Sequence, residues 1–486
     1  MSTKFQLPLT PIEQFRLANG LRVVMSRNAS VPVVSVAVYY DTGSRNEREG
    51  RTGFAHLFEH MMFQGSENVP KAAHFQYIFN VGGTMNGTTS TERTNYFETL
   101  PANQLPLALW LESDRMWSLK VTQENLDNQR EAVKEEKRLR YDNQPYINGF
   151  LRIDELIYKN PANAHSTIGS MEDLDAATVE DVQEFFRIYY APNNAVLSIT
   201  GDFDPQEARR LVEKYFSTIP NQPPPPAVDV NEPAEVAERM DVYYDALAPV
   251  PAFLIGWKIP ARRTKDFYAL QLASDLLFSG DSSRLYQKLV KGDESVVQMQ
   301  GGVDERRGPS AIYVFAIPKP GEDVALIRQL IMDEIKDLAT AGPSLEEMEK
   351  LHNNLLNDAV RSRQSSLFRA QRLAEYALYD NDPHLINTEL DEYLGVTADE
   401  IKEAVARYMN TDNRATLDIV PSNESVAETV SASVTTATAG EPAQPGAPAP
   451  QVPPAPPIQP PPPSDQPTDQ LRSSEPPQPA DPAAIK

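Results

Sequence analysis

The sequence predicts an α+β chain built from two copies of one domain. Three observations carry this. At 486 residues, the chain exceeds the roughly 250–300 residues that one hydrophobic core spans. A helix-then-strand pattern occurs twice, over residues 181–199 and 400–419, offset by 219 to 220 residues. A fixed offset between similar segments marks duplicated units. Between the copies, residues 220–226 end in Pro223-Pro224-Pro225-Pro226, a stiff extended spacer. The chain therefore reads as a first domain over 10–220, a Pro-rich linker over 221–237, a second domain over 238–422 and a disordered Pro/Ala-rich tail over 423–486.

The first domain opens on strands. Asn19-Gly20 is a hairpin-turn signal between apolar runs. Val34, Val36, Val38 and Tyr40 alternate along a strand over 33–40. A helix follows between Gly53 and Gly65, with Thr52 as its expected cap, and then a helix over 71–81. Two β-prone segments come next. The first, from Gly82 to Thr91, is small and polar. It is either a surface hairpin or an edge onto which another chain adds itself as a strand. Helices over 102–119, 123–140 (capped by Thr122), 148–158 and 173–189 precede a strand over 195–202 and a helix over 205–215. The second domain starts again with strands at 238–244 and 252–259, helices at 267–277 and 283–290, strands at 296–302 and 311–317, and long helices after Asp323 and Leu345. From 423 onward apolar periodicity is lost. Too little apolar surface remains there to offset ordering entropy, and a tether is the reading over a partner-binding tail.

The chemistry sits in the helix after Gly53. His56, Glu59 and His60 share one helical face, while Leu57, Phe58, Met61 and Met62 pack around them. Two imidazoles one turn apart can grip a metal ion, and a carboxylate beside them can act on a metal-bound water. The order His-x-x-Glu-His is the inverzincin pattern. The competing reading is a pair of satisfied core histidines. Against it, the chain has only 6 His, and two of them flank a Glu within an apolar helix. Burying three ionisable groups on one face is costly unless a cation compensates them. With 0 Cys in the chain, any zinc must be held by His, Asp or Glu. The densely charged helix over 123–140 is a natural source of a third, carboxylate ligand.

Composition excludes other classes. A formal net charge of -23 and a pI near 4.8 argue against a nucleic-acid partner, since phosphate contacts need clustered Lys and Arg. No run approaches the ~18 consecutive apolar residues of a membrane span. The first eight residues lack the apolar core of a signal peptide, so the expected compartment is the cytoplasm. A periplasmic location is the alternative if the N-terminus has been trimmed.

These residues resemble the pitrilysin-type (M16) zinc peptidases, the family of insulin-degrading enzyme and the mitochondrial processing peptidase, over nearly all of 10–420. The resemblance implies two homologous domains, each an antiparallel-rich β-sheet with helices packed on it. It implies one Zn²⁺ per chain, held by His56, His60 and Glu136, with Glu59 as the catalytic residue. Val133-Lys134-Glu135-Glu136 matches the family's Val-x-x-Glu, 76 residues after His60; Glu135 is the rival in the neighbouring register. Gly83–Thr89 looks like the family's substrate-binding edge, with Asn86, Gly87 and Thr88 against the peptide. The implied activity is that of a metalloendopeptidase cleaving peptides or unfolded segments.

Two departures refine this. Gln129 stands where some members carry a Glu. After a segment that resembles the family's second-domain helix (Ser282 to Leu289), Val290 and Val297 stand where single-chain members carry an Arg and a Tyr that hold the substrate carbonyl. An intact zinc motif without that pair resembles the catalytic subunit of a heterodimer whose paralogous partner supplies Arg and Tyr; a homodimer is the other arrangement. The alternative from a different class is a non-catalytic peptide-binding or assembly subunit on the same fold.

Overall fold

A computed structural model describes residues 7–422; the Pro/Ala-rich segment read as a tether lies outside the described residues. The first half runs β1 (Glu13–Arg16), β2 (Arg22–Arg27), β3 (Val33–Tyr40), α1 (Phe54–Met61), α2 (Ala73–Asn80), β4 (Thr84–Thr89), β5 (Thr94–Pro101), α3 (Leu105–Ser118) and α4 (Gln123–Lys137). It continues through α5 (Ile147–Ile157), α6 (Pro161–Ala164), α7 (Met171–Asp175), α8 (Val179–Tyr189), β6 (Ala195–Gly201) and α9 (Pro205–Phe216). Residues 221–237 carry no helix or strand. The second half runs β7 (Arg239–Asp245), β8 (Ala252–Ile259), α10 (Lys265–Phe278), β9 (Val296–Asp304), β10 (Ser310–Pro318), α11 (Val324–Ala341) and α12 (Leu345–Ser362). It ends with α13 (Ser366–Tyr379), α14 (Leu385–Leu394), α15 (Ala398–Tyr408) and β11 (Arg414–Pro421).

The duplication reappears as sheet topology. The first sheet has the order β1-β2-β6-β3-β5-β4 and the second β7-β11-β8-β10-β9. Each contains one parallel pair, β2 with β6 and β7 with β11, and is otherwise antiparallel. Strand by strand the second order repeats the first without β1. The edge strands β4 and β9 are therefore counterparts.

Strand β3 is apolar on both faces, the mark of a strand covered on both sides. Val36, Val38 and Tyr40 face the main core of the first half, where α1, α3 and α8 pack. Ala37 and Tyr39 point the other way, with Val24 and Val196, and are covered by Ala370, Leu373, Ala374 and Ala377 of α13. Thus a helix from the second half closes the first sheet. The converse also holds. Ile153 and Ile157 of α5 pack on Leu254, Leu417 and Ile419 of the second sheet. A Cβ at Gly256 of β8 would run into the Ile157 side chain, so glycine is what lets α5 lie this close. Fully burying a Val, Leu, Ile, Phe or Met side chain contributes about 1.5–3 kcal/mol, and α5 does so with Ile153 and Ile157, α13 with Leu373.

Three helix boundaries differ from the sequence reading. The helix expected over 173–189 breaks into α7 and α8, because Thr178 starts a new one. The Thr178 hydroxyl accepts the Asp181 N–H at 3.1 Å and the Asp181 carboxylate accepts the Thr178 N–H at 3.3 Å, a reciprocal cap. The helix expected to Arg140 is α-helical to Lys137 and then widens to a π turn over Arg138–Asp142. Its Thr122 cap forms, accepting from Asn125 N at 3.2 Å. The helix expected over 283–290 is largely a π turn at Tyr286–Gly292. Among the described residues, no helix is long and apolar enough to cross a membrane.

Candidate metal centre

Helix α1 lies against α4, burying Leu57, Phe58 and Met61 in the first core. That packing turns the polar face, with His56, Glu59 and His60, toward α4 and β4. The three side chains that the sequence placed on one face do meet there, and α4 adds Glu136. His60 Nε2 lies 3.2 Å and His56 Nε2 3.8 Å from Glu136 Oε2. The candidate ligand atoms of all three residues lie within 4.8 Å of one another. Bonds of about 2.0–2.1 Å at tetrahedral angles set zinc donors about 3.4 Å apart, so this spacing fits such an ion. Glu135, the rival, faces away and pairs with Arg138 at 3.2 Å.

The electrostatics suit a cation. Burial, then the neighbouring His60, pushes the His56 pKa down to about 4, so its ring is the neutral, metal-binding form at pH 7. The bond to His60 holds the Glu136 carboxyl below its ordinary value, and the second Glu136 oxygen pairs with Arg140 at 2.8 Å. Burial raises the Glu59 carboxyl, whose Oε2 accepts the Thr89 hydroxyl at 2.5 Å.

These groups form one wall of a cavity of about 490 Å³, with Asn86, Gly87, Thr88 and Thr89 along another and Thr167 and Ile168 on a third. Among the described residues, β4 pairs only with β5 and leaves its other edge unpaired. Asn86 and Gly87 lie on that edge strand; the Asn86 side chain accepts the Gly87 N–H at 2.9 Å. Thr88 is partly engaged, since Arg93 donates to its carbonyl at 3.0 Å.

Comparisons with known proteins bear on the family and the fold. Residues 22–157 match the model of the insulinase family (peptidase family M16), and residues 176–355 match the peptidase M16 inactive domain. Together these span about two thirds of the chain. The chain belongs to the M16 peptidase family. Zinc protease PqqE of Helicobacter pylori is 28% identical over 417 residues, covering 84% of this chain and 93% of that protein. The crystal structure of a protease from Helicobacter pylori superposes with a TM-score of 0.82 at 27% identity, covering 85% of this chain and all of that one. A Pseudomonas fluorescens structure described as a peptidase M16 inactive domain shares the fold, with a TM-score of 0.75 at 16% identity over 85% of this chain and 98% of that one.

Within this M16 chain, the second half adds no donor to the cavity from Val290 or Val297. Val290 packs on the second core, and Val297 is exposed on β9; neither lines the cavity. Gln129 does line it. Several residues escaped the sequence reading. Arg140 was findable as the i+4 partner of Glu136 on a helix. Thr89 follows the Asn86–Thr88 run, but only folding shows its hydroxyl reaching Glu59. Thr167 and Ile168 carry no motif at all. One expectation was wrong: Thr52 does not cap α1. Its hydroxyl and N–H donate to Asp173 at 2.6 and 2.9 Å, and the first helical amides are bound by another residue.

Proposed function

We propose that this M16 chain is a zinc-dependent endopeptidase acting on peptides or unfolded segments, and that it works as the catalytic subunit of a heterodimer. The observation that carries this is the convergence of His56, His60 and Glu136 beside Glu59, next to an unpaired strand edge. His56, His60 and Glu136 would hold one Zn²⁺ per chain. Zinc, when bound, supplies a Lewis acid that polarises the scissile carbonyl and makes water more acidic.

The remaining chemistry belongs to the chain. Glu59 removes a proton from the attacking water and delivers it to the leaving amine nitrogen. Its raised pKa brings it closer to the operating pH, where such transfers are efficient. The Thr89 hydroxyl occupies Oε2 and leaves Oε1 to handle the proton. Substrate adds to β4 as a further strand at Asn86, Gly87 and Thr88. Main-chain bonds there tolerate many sequences, so selection falls to the cavity walls. Developing charge on the carbonyl oxygen calls for fixed donors. Val290 and Val297 offer none, which supports a partner M16 chain that supplies them.

The test is Glu59→Gln. Cleavage of a quenched peptide should fall by about 10²–10⁴-fold while zinc content stays unchanged. Cleavage at the parent rate would sink the reading. Assaying the chain alone and with a paralogous M16 chain tests the partner; full activity alone refutes that part. The non-catalytic alternative draws support from the inactive-domain match, but that match covers 176–355 and none of the four site residues. A folded protein without zinc on elemental analysis would favour it.

A further inference from the structure

Helix α1 has an unusual start. Gly53, at its head, has a φ of +83°, and a Cβ there would collide with the Ile168 carbonyl and Gly169. The helix therefore begins pressed against the 165–169 loop. Its first amides are not capped by a neighbouring hydroxyl. Gly53 N and Ala55 N donate to the Glu47 carboxylate at 2.9 and 2.7 Å. The Glu47 side chain is wholly buried, and a carboxylate in that position offsets both the unpaired amides and the positive helix end.

Glu47 is itself held. His165 Nε2 lies 2.9 Å from Glu47 Oε2, and His165 Nδ1 lies 2.6 Å from the Pro161 carbonyl. Both ring nitrogens face acceptors; burial works against the charged imidazole, and the bonds to Glu47 and Pro161 nonetheless raise its pKa. The loop bearing His165 is anchored from the second half, where Arg306 donates to the Asn163 carbonyl at 2.7 Å. Two residues on from His165, Thr167 and then Ile168 line the cavity.

Ala55 immediately precedes His56. The His56 Nδ1 is buried and has no hydrogen-bond partner among the described residues. Most metal-binding histidines are oriented by a bond to that second nitrogen. With no bond at Nδ1, the placement of the ring depends on where the backbone of α1 begins and on its edge contact with the His60 ring. We infer that Glu47 and His165 are positioning residues for the metal centre: they fix the start of α1, and hence His56, against the loop that forms the cavity wall. This rests on the zinc reading above.

The experiment uses the full chain with Glu47→Gln, His165→Gln and His165→Leu, and Glu238→Gln as a control. Glu238 pairs with Arg414 in the second half and has no part in the site. Zinc affinity is read by chelator competition, and hydrogen exchange of residues 53–60 is read in the metal-free protein. Glu47→Gln should weaken zinc binding about tenfold, in the range seen when outer partners of metal ligands are removed, and should speed exchange at the start of α1. His165→Gln keeps a donor and should lose less than His165→Leu. The control should leave zinc affinity at the parent value. Should Glu47→Gln fail to fold, the graded His165 pair decides. Unchanged zinc affinity in folded variants of a zinc-binding parent overturns this inference alone. A parent that takes up no zinc overturns the functional reading, and this one with it.

Discussion

Glu135 and Glu136 are adjacent, identical in type and both on a charged helix, yet they face different surroundings. One residue along an α-helix turns the side chain by about 100°. Glu136 meets His60 at 3.2 Å, whereas Glu135 meets Arg138 and solvent. Under the proposed function the two should behave differently on loss of charge. Glu136→Gln should drop zinc content well below that of the parent, while Glu135→Gln should leave it unchanged. Elemental analysis of the folded proteins checks this, and equal loss in both would return the third ligand to doubt. Glu59 illustrates the same dependence on setting. Its identity as a carboxylate is sequence information, but its raised pKa comes from burial.

Elements decide how closely the halves engage. Helix α5 belongs to the first half in sequence and to the second sheet in space. The approach needs Gly256, so Gly256→Val should wedge α5 away from β8. Overpacking of this kind costs about 1–3 kcal/mol, measurable as a lower denaturation midpoint. The same interface carries a titrating group. Asp154 on α5 accepts the Tyr313 hydroxyl and lies 3.9 Å from Arg306. Burial raises its pKa from 3.8 to about 6. A folded-state pKa above the unfolded one gives stability that is full below pH 3.8 and lost as pH rises through about 6. The stability difference between the parent and Asp154→Asn should therefore be most favourable to the parent near pH 4 and shrink towards pH 6. Thermal melts across that range check it, and a flat difference would show that the Asp154 pKa is not raised in the folded protein.

At the scale of the molecule, the exchange of α5 and α13 ties the halves together. Removing either half uncovers one face of the remaining sheet and strands the lent helix. The apolar residues so exposed include Val24, Ala37, Tyr39 and Val196 in one direction, and Leu254, Leu417 and Ile419 in the other. Residues 1–226 expressed alone should aggregate or remain partly folded. Co-expressed with residues 227–486 they should assemble into a pair that co-purifies. The intact chain should melt in one transition across residues 7–422, because neither sheet is covered on both faces without the other half. Two well-separated transitions, or a stable, monodisperse first half, would contradict this. A Pro-rich linker suggests independent domains; the lent helices override that suggestion, since buried apolar area outweighs the stiffness of a connecting segment.

The sequence by itself determined the duplication, the strand and helix types, and the shared face of His56, Glu59 and His60. Each of these is periodic or local, fixed within a few residues by side-chain spacing along a helix or strand. The spacing pointed to a carboxylate from the charged helix as a third donor, and the family resemblance narrowed that expectation to Glu135 or Glu136. Only the tertiary structure placed Glu136, and not Glu135, beside the two histidines, brought Thr89 to Glu59, exchanged α5 and α13, and replaced the expected Thr52 cap with Glu47 and His165. Those pairings join residues tens to hundreds of positions apart. They depend on how packed elements are oriented, and no short-range pattern encodes that. The His-x-x-Glu-His helix is thus written in the sequence, while the place where it begins is set by a buried carboxylate and an imidazole 118 residues apart.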